Sequence, residues 1–313
     1  MEPPVTESLG FGITRIDAGY IEPGTASFYL LQAGTECAVI DTGTVHGLPP
    51  LLRLLQDREI SPGRVRYVIP THVHLDHAGG AGLMMQHFPE AKLVVHPRGA
   101  RHLIDPQKLV SASRQVFGEA RFDRLYGDIV PVPEGRVIAA EDGHPLDLGG
   151  RELVLRHTPG HADHHLCVWD KVSRGWFSGD VFGLSYQWFR TARADYCMPT
   201  TTPSQFRPEA LKKSIDLLAA ASPERIFLTH YSELAYSDRL RQSLQEQIDH
   251  YVVLAAEHGG QVPQLEEAII DYSLECFSAL NPGMEVAELR ERFRHDAQLN
   301  AQGLAYWHNR QLA

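Results

Sequence analysis

The segment Thr71-His72-Val73-His74-Leu75-Asp76-His77 places three histidines and an aspartate in its last six residues, directly after an apolar run. Imidazole nitrogen and carboxylate oxygen are donors that borderline divalent metal ions accept, so the chemistry on offer is metal binding. Spacing refines the reading. His72 and His74 are two apart, and on extended backbone their rings leave the same face with Cα atoms about 7 Å apart, within reach of one ion. Asp76 and His77 come after the chain has begun to bend, which can aim them at a neighbouring position, as a second ion would need.

The elements around this segment must hold it. Val65-Arg66-Tyr67-Val68-Ile69 reads as a strand, whose ladder Pro70 ends. Gly79-Gly80-Ala81-Gly82, followed by Leu83, Met84 and Phe88, reads as a loop entering a helix. The donors therefore sit on a strand-to-helix turn. Three further donors follow predicted strands: His161 in Thr158-Pro159-Gly160-His161, Asp180 in Ser178-Gly179-Asp180, and His230 in Thr229-His230. Each alone is an ordinary polar loop; joined to residues 72–77 they complete a two-ion donor set on loops of a rigid scaffold. The sharp Pro-Gly turn favours His161 over its neighbours His164 and His165, and His157 reads as a loop residue that could support a ligand. Phe182, Tyr186, Trp188, Phe189 and Tyr196 either wall an apolar pocket or pack as ordinary core. Lys212-Lys213 reads as a solvated helix face.

Strand signals fall at 26–32, 37–40, 65–69, 92–95, 152–156, 166–169, 175–177 and 225–228, and helical ones at 50–55, 82–88, 97–103 and 208–220. That alternation implies mixed sheets covered by helices. From Ser237, a predicted N-cap, the pattern becomes helical, with three helices through Leu240 to Ala255, Leu265 to Cys276 and Val286 to Phe293, the second stopped by Pro282-Gly283. Residues 1–236 thus read as one domain and 237–313 as a helical extension, free to cover the site, form a homodimer or pack on the sheet. With 313 residues, 43% hydrophobic and 22% charged, the composition is that of an ordinary globular protein. A formal charge of −10 and the lack of a Lys/Arg block argue against nucleic acid. There is no basic leader and no run of the ~18 apolar residues a membrane span needs, so a cytoplasmic protein is expected. Cys37, Cys167, Cys197 and Cys276 form no CxxC pair, which suggests neither a disulfide framework nor a thiolate site.

Taken together, HxHxDH at 72–77, TPGH ending at His161, SGD ending at Asp180 and LTH ending at His230 resemble the ligand series of the metallo-β-lactamase fold superfamily, and Val39-Ile40-Asp41-Thr42-Gly43 resembles its first motif. Residues 158–165 are also similar to uncharacterised hydrolases near the glyoxalase II branch. The resemblance implies an α/β fold, an αββα sandwich of two mixed β-sheets flanked by helices. It also implies roles: His72, His74 and His161 on one ion, Asp76, His77 and His230 on a second, Asp180 bridging, and Asp41 orienting a ligand. The cofactor is then two divalent metal ions, zinc first, with iron or manganese as alternatives.

Departures from relatives narrow the substrate. The best-known β-lactamase subclass has arginine where His77 stands and cysteine in place of the bridging aspartate. Position 183, near where lactonases of acyl-homoserines carry tyrosine, is glycine, and Tyr186 is the nearest tyrosine. No counterpart of the basic cluster of glyoxalase II is evident, and flavodiiron relatives have glutamate where His74 stands. What remains is hydrolysis of an ester, thioester or lactone in a small-molecule substrate by a metal-bridging hydroxide, with Asp76 as ligand and proton acceptor. A phosphodiesterase is the runner-up, and a non-catalytic regulator or a di-iron dioxygen-binding protein is the reading from a different class.

Overall fold

Alternation along single strands builds this sandwich, as the computed structural model shows for the residues it describes, 5–189, 195–201, 203–280 and 285–312. The first sheet pairs β1 (Thr6–Gly10), β2 (Ile13–Asp17), β3 (Ser27–Ala33), β4 (Glu36–Ile40), β5 (Val65–Ile69), β6 (Lys92–Val95) and β7 (Val137–Ala139) in chain order. Strands β1 to β4 form an antiparallel meander, and β4 to β7 are parallel. Parallel neighbours need crossover connections. These contain α1 (Leu48–Asp57), α2 (Leu75–Ala78), α3 (Ala81–His87), α4 (Pro97–Ile104), α5 (Gln107–Phe117) and α6 (Glu119–Tyr126).

The second sheet runs from β13 (Ser232–Ala235) through β12 (Arg225–Leu228), β11 (Gly175–Gly179), β10 (Leu166–Asp170) and β9 (Arg151–His157) to β8 (His144–Leu148). Only β11 and β12 are parallel in it, joined through α7 (Pro208–Ala220). In β3, Tyr29 and Leu31 point between the sheets while Phe28 and Leu30 join the cluster under the first helical layer. In β12, Phe227 points between the sheets while Ile226 and Leu228 face the second helical layer. The two-residue period of a strand thus serves two cores at once, as a four-layer sandwich requires. Phe177 and Phe227 stack at 4.6 Å with Tyr29 edge-on to both, closing the gap between the sheets.

The extension comprises α8 (Asp238–Glu257), α9 (Val262–Leu280) and α10 (Val286–Leu312). Ser237 caps α8 as expected, its hydroxyl accepting from the Leu240 amide at 3.2 Å. The predicted stop at Pro282-Gly283 lies outside the described residues, and α10 runs well beyond Phe293. Leu244, Ile248, Tyr251, Phe277, Phe293 and Leu304 share one buried cluster with Trp176, Ile226 and Leu228 of the second sheet. Among the described residues no helix is long and apolar enough to cross a membrane, and the four cysteines are unpaired.

Several elements escaped the sequence pattern. β2 is buried along its whole length and carries Thr14, Arg15 and Asp17, so it shows no alternation; Arg15 is satisfied by Glu7 and Tyr231. β8 holds Pro145, which an edge strand tolerates. α5 was not anticipated either: Leu109, Ala112, Val116 and Phe117 recur at helical spacing, but none of its residues is fully buried. Lys213 is exposed as expected, while Lys212 beside it makes a surface ion pair from α7 to Asp249 of α8 at 2.6 Å.

The shared cluster sets an expectation for truncation and for a core substitution. A chain ending at residue 236 uncovers Trp176, Ile226 and Leu228, and it should lose cooperative urea unfolding and bind a hydrophobic dye. In the full chain Phe277→Ala, at a side chain with no exposed surface, should cost ~3–5 kcal/mol in urea titration. Cooperative unfolding of the truncated chain would instead show that residues 1–236 form an independent unit.

Candidate metal centre

Every candidate donor lies just past the C-terminal end of a strand. Asp41 follows β4, residues 72–77 follow β5, His161 follows β9, Asp180 follows β11 and His230 follows β12. β4 and β5 run the same way in the first sheet, and β9, β11 and β12 share a direction in the second. Their ends can therefore meet along one edge of the sandwich. Two glycines permit the turns. A side chain at Gly160, whose φ is +135°, would strike the Leu211 backbone nitrogen at 2.2 Å, so this residue lets α7 approach while the chain turns into His161. Gly179, with φ +49°, lies against His165 and Thr71 where a Cβ would meet atoms at 2.5 and 2.6 Å.

The donor atoms gather in two groups. His72 Nε2 lies 2.8 Å from His74 Nδ1, which lies 3.2 Å from His161 Nε2. Asp76 Oδ2 lies 3.3 Å from His230 Nε2 and 3.7 Å from His77 Nε2. Asp180 stands between the groups: Oδ2 is 3.4 Å from His161 Nε2, while Oδ1 is 3.1 Å from His77 Nε2 and 3.7 Å from His230 Nε2. Within each of the triplets His72/His74/His161, Asp76/His77/His230 and His72/His77/Asp180, ligand atoms lie within 4.8 Å of one another, close enough for a shared ion. His77 Nε2 and Asp180 Oδ1 are buried without a hydrogen-bond partner, as befits atoms reserved for a cation.

The far sides of the rings are held. His77 Nδ1 lies 3.0 Å from Asp41 Oδ2; a carboxylate can only accept, so Nδ1 carries the proton and Nε2 keeps its lone pair for the centre. His230 Nδ1 donates to the Thr25 carbonyl at 2.9 Å, and His161 Nδ1 lies 3.0 Å from the Thr200 hydroxyl. Burial pushes His72 and His161 below the ordinary imidazole range and His74 down to about 3, leaving them neutral as ligands must be. Burial acts the same way on His77 and His230, but the Asp180 charge and its neighbouring carboxylates outweigh it, raising His77 and taking His230 to about 9. Burial would raise Asp76 and Asp180, yet His77 and the other imidazoles hold both below the carboxylate range. Such a site demands positive charge, which a divalent ion supplies.

Residues 21–230 match the sequence profile of the metallo-beta-lactamase superfamily. The chain belongs to this superfamily. It is 33% identical to the acyl-coenzyme A thioesterase MBLAC2 of Gallus gallus over 184 residues, covering 55% of this chain and 64% of that one. To the Homo sapiens protein of the same name it is 33% identical over 206 residues, covering 61% and 71%. It thus spans slightly under two thirds of the first relative's length. A metallo-beta-lactamase family protein from Thermus thermophilus superposes with a TM-score of 0.62 at 21% identity, over 97% of this chain and 95% of its own. That likeness of fold takes in the helical extension.

Other predicted residues of this metallo-β-lactamase-fold chain fall into place around the donors. His165 is buried, with Nδ1 2.8 Å from the Thr158 hydroxyl and Nε2 accepting from the Asp180 amide at 3.3 Å, so it shapes the turn into Asp180 and has no nitrogen left over. His164 borders the site cavity with Nδ1 unbonded, outside the donor groups. His157 packs on His96 and bonds the Ala140 carbonyl, away from the ligands. Phe182, Phe189 and Tyr196 are core, Trp188 packs against it, and Tyr186 alone of the stretch touches the site through a cavity of about 60 Å³. A larger cavity of about 500 Å³ opens from His74, Asp76 and Asp180.

Sequence reasoning missed the support for His161. Thr200 is held because Asn300 of α10 accepts from the Thr201 amide at 2.7 Å and donates to the Pro199 carbonyl at 3.0 Å. Gln247 of α8 adds a bond to the Cys197 carbonyl at 2.8 Å. No local signal marks an asparagine distant in sequence as a partner of this loop. The Thr200 hydroxyl then touches both His161 and the Asp180 carbonyl. Asn300→Ala should therefore weaken metal binding ~10–100-fold in chelator competition while leaving far-ultraviolet circular dichroism unchanged. Unaltered affinity would show that α10 does not support the centre.

Proposed function

We propose that this protein is a dinuclear metal-dependent hydrolase of thioester or ester bonds in a small-molecule substrate. The observation that carries it is the Asp180 carboxylate, whose two oxygens face two different donor groups. In this reading His72, His74 and His161 hold one ion, Asp76, His77 and His230 hold the other, and Asp180 is shared. When bound, two such ions, zinc or else iron or manganese since nitrogen and oxygen donors do not choose among them, would lower the pKa of water toward ~7 and polarise a carbonyl.

The chain's own groups do the rest. Asp76, whose side chain is 20% exposed, is the least buried of the carboxylates and borders both cavities, so it can take a proton from the centre and release it outward. Tyr20 and Tyr126 share a hydrogen bond of 2.9 Å at the cavity wall, which leaves one of the two hydroxyls free to donate to a polarised carbonyl or its leaving group. Thioester is favoured over other acyl bonds because two relatives, each 33% identical in sequence, carry the name acyl-coenzyme A thioesterase.

Asp180→Asn removes the shared anionic donor. It should bind one ion fewer by elemental analysis and lose ~100-fold or more in kcat/KM on an acyl thioester, about 2.7 kcal/mol of transition-state stabilisation. Full turnover with two ions retained sinks the shared-ligand assignment. Turnover of phosphodiesters without thioesters would move the reaction to phosphoryl transfer, and metal binding without turnover would favour a regulator.

A further inference from the structure

α5 carries Leu109, Ala112, Val116 and Phe117 at the i, i+3, i+7, i+8 spacing of a helical stripe, yet none of its residues is buried, and Val116 is 64% exposed. Leu109 and Phe117 lean on the core cluster under the first helical layer, whereas Ala112 and Val116 are exposed, so part of the stripe stays open to a partner. This stripe is not an isolated surface patch. With Val73, set between two metal-ligand candidates, and Leu299, adjacent to Asn300 of α10, it walls the cavity of about 500 Å³ that ends at His74, Asp76 and Asp180. Three separate elements converge on one apolar passage.

From this convergence we infer that the α5 stripe seats the acyl chain of the substrate, with the reacting carbonyl at the metal end. The inference rests on the thioesterase reading and gives it a substrate class: thioesters of linear aliphatic acids. Polarity is graded along the cavity. The metal end carries the donor groups around Asp76 and Asp180, and the Tyr20–Tyr126 pair beside them has one hydroxyl free to donate to a carbonyl. The α5 side contributes Leu109, Ala112, Val116 and Phe117, interrupted by Lys108 and Ser113, and its apolar members suit methylenes. Leu109 to Val116 spans about 10 Å along the helix, a lengthwise track fitted to an extended chain. The cavity volume lies in the range of small-molecule sites. Each methylene withdrawn from water onto the stripe should improve binding ~4-fold.

The test uses the metal-loaded full chain and a series of thioesters of one thiol, from acetyl through butanoyl and octanoyl to dodecanoyl. kcat/KM should rise ~4-fold per methylene over the first members and then level as the chain runs past Val116. Ala112→Trp, which fills the track, should bring the plateau to shorter chains, and Val116→Glu, at an exposed position that folding tolerates, should penalise the longer chains selectively. Displacement of a dansyl-labelled fatty acid by decanoate gives a readout that needs no turnover, and both variants should weaken it ~10-fold or more. Thioester turnover independent of chain length, or variants that lower all chain lengths equally, overturns the acyl seat and leaves the thioesterase reading standing. Fatty-acid binding that the variants abolish, without thioester turnover, supports the seat and overturns the thioesterase reading. Neither turnover nor binding overturns both.

Discussion

One buried carboxylate ties the halves of this protein together. Asp41, at the end of β4, accepts from the Thr71 amide at 2.7 Å and from the Thr71 hydroxyl, from His77 Nδ1 and from the Thr229 hydroxyl. Its backbone takes the left-handed conformation at φ +55° to do so. These bonds join the β4 and β5 ends in the first sheet to the β12 end in the second. Because the partners adjoin His72 and His230 and include His77, satisfying this single group fixes those three imidazoles relative to one another. A buried carboxylate left short of partners is costly, so the constraint is also a folding constraint.

Support then extends outward in layers. The Thr200 hydroxyl meets His161, Asn300 holds the segment around Thr200, and Asn300 is fixed because α10 packs beside α9 against the outer face of the second sheet. A hydrophobic cluster far from the chemistry thereby contributes to the position of a ring nitrogen. The same helix brings Asp296 into the smaller cavity, where Tyr186 donates to it at 2.9 Å and burial raises its carboxyl above the usual range. The extension is therefore part of the wall of the site.

How much of this was legible in the sequence depended on whether the signal was local. Residues 72–77 announce themselves because donor types and spacing are adjacent in the chain, and the Pro-Gly turn pointed to His161, which does fall in a donor group, over His164 and His165, which do not. Strands such as β5 and β12 follow from β-branched and aromatic runs. β2 did not, since its burial depends on Arg15 finding Glu7 and Tyr231, partners that no window around β2 contains in full. α5 went unread although Leu109, Ala112, Val116 and Phe117 recur at helical spacing, and Asn300 because its partners lie about a hundred residues away.

The sequence by itself determined which atoms are available as ligands and in what order the strands deliver them, for those are properties of residue type and short-range spacing. Tertiary structure alone decided that Thr200 and Asn300 support His161, that Tyr20, Tyr126 and Asp296 border the site, and that α5 lines its approach. The physical reason is that hydrogen-bond satisfaction and close packing act between surfaces brought together by the fold, at separations along the chain that no local pattern encodes.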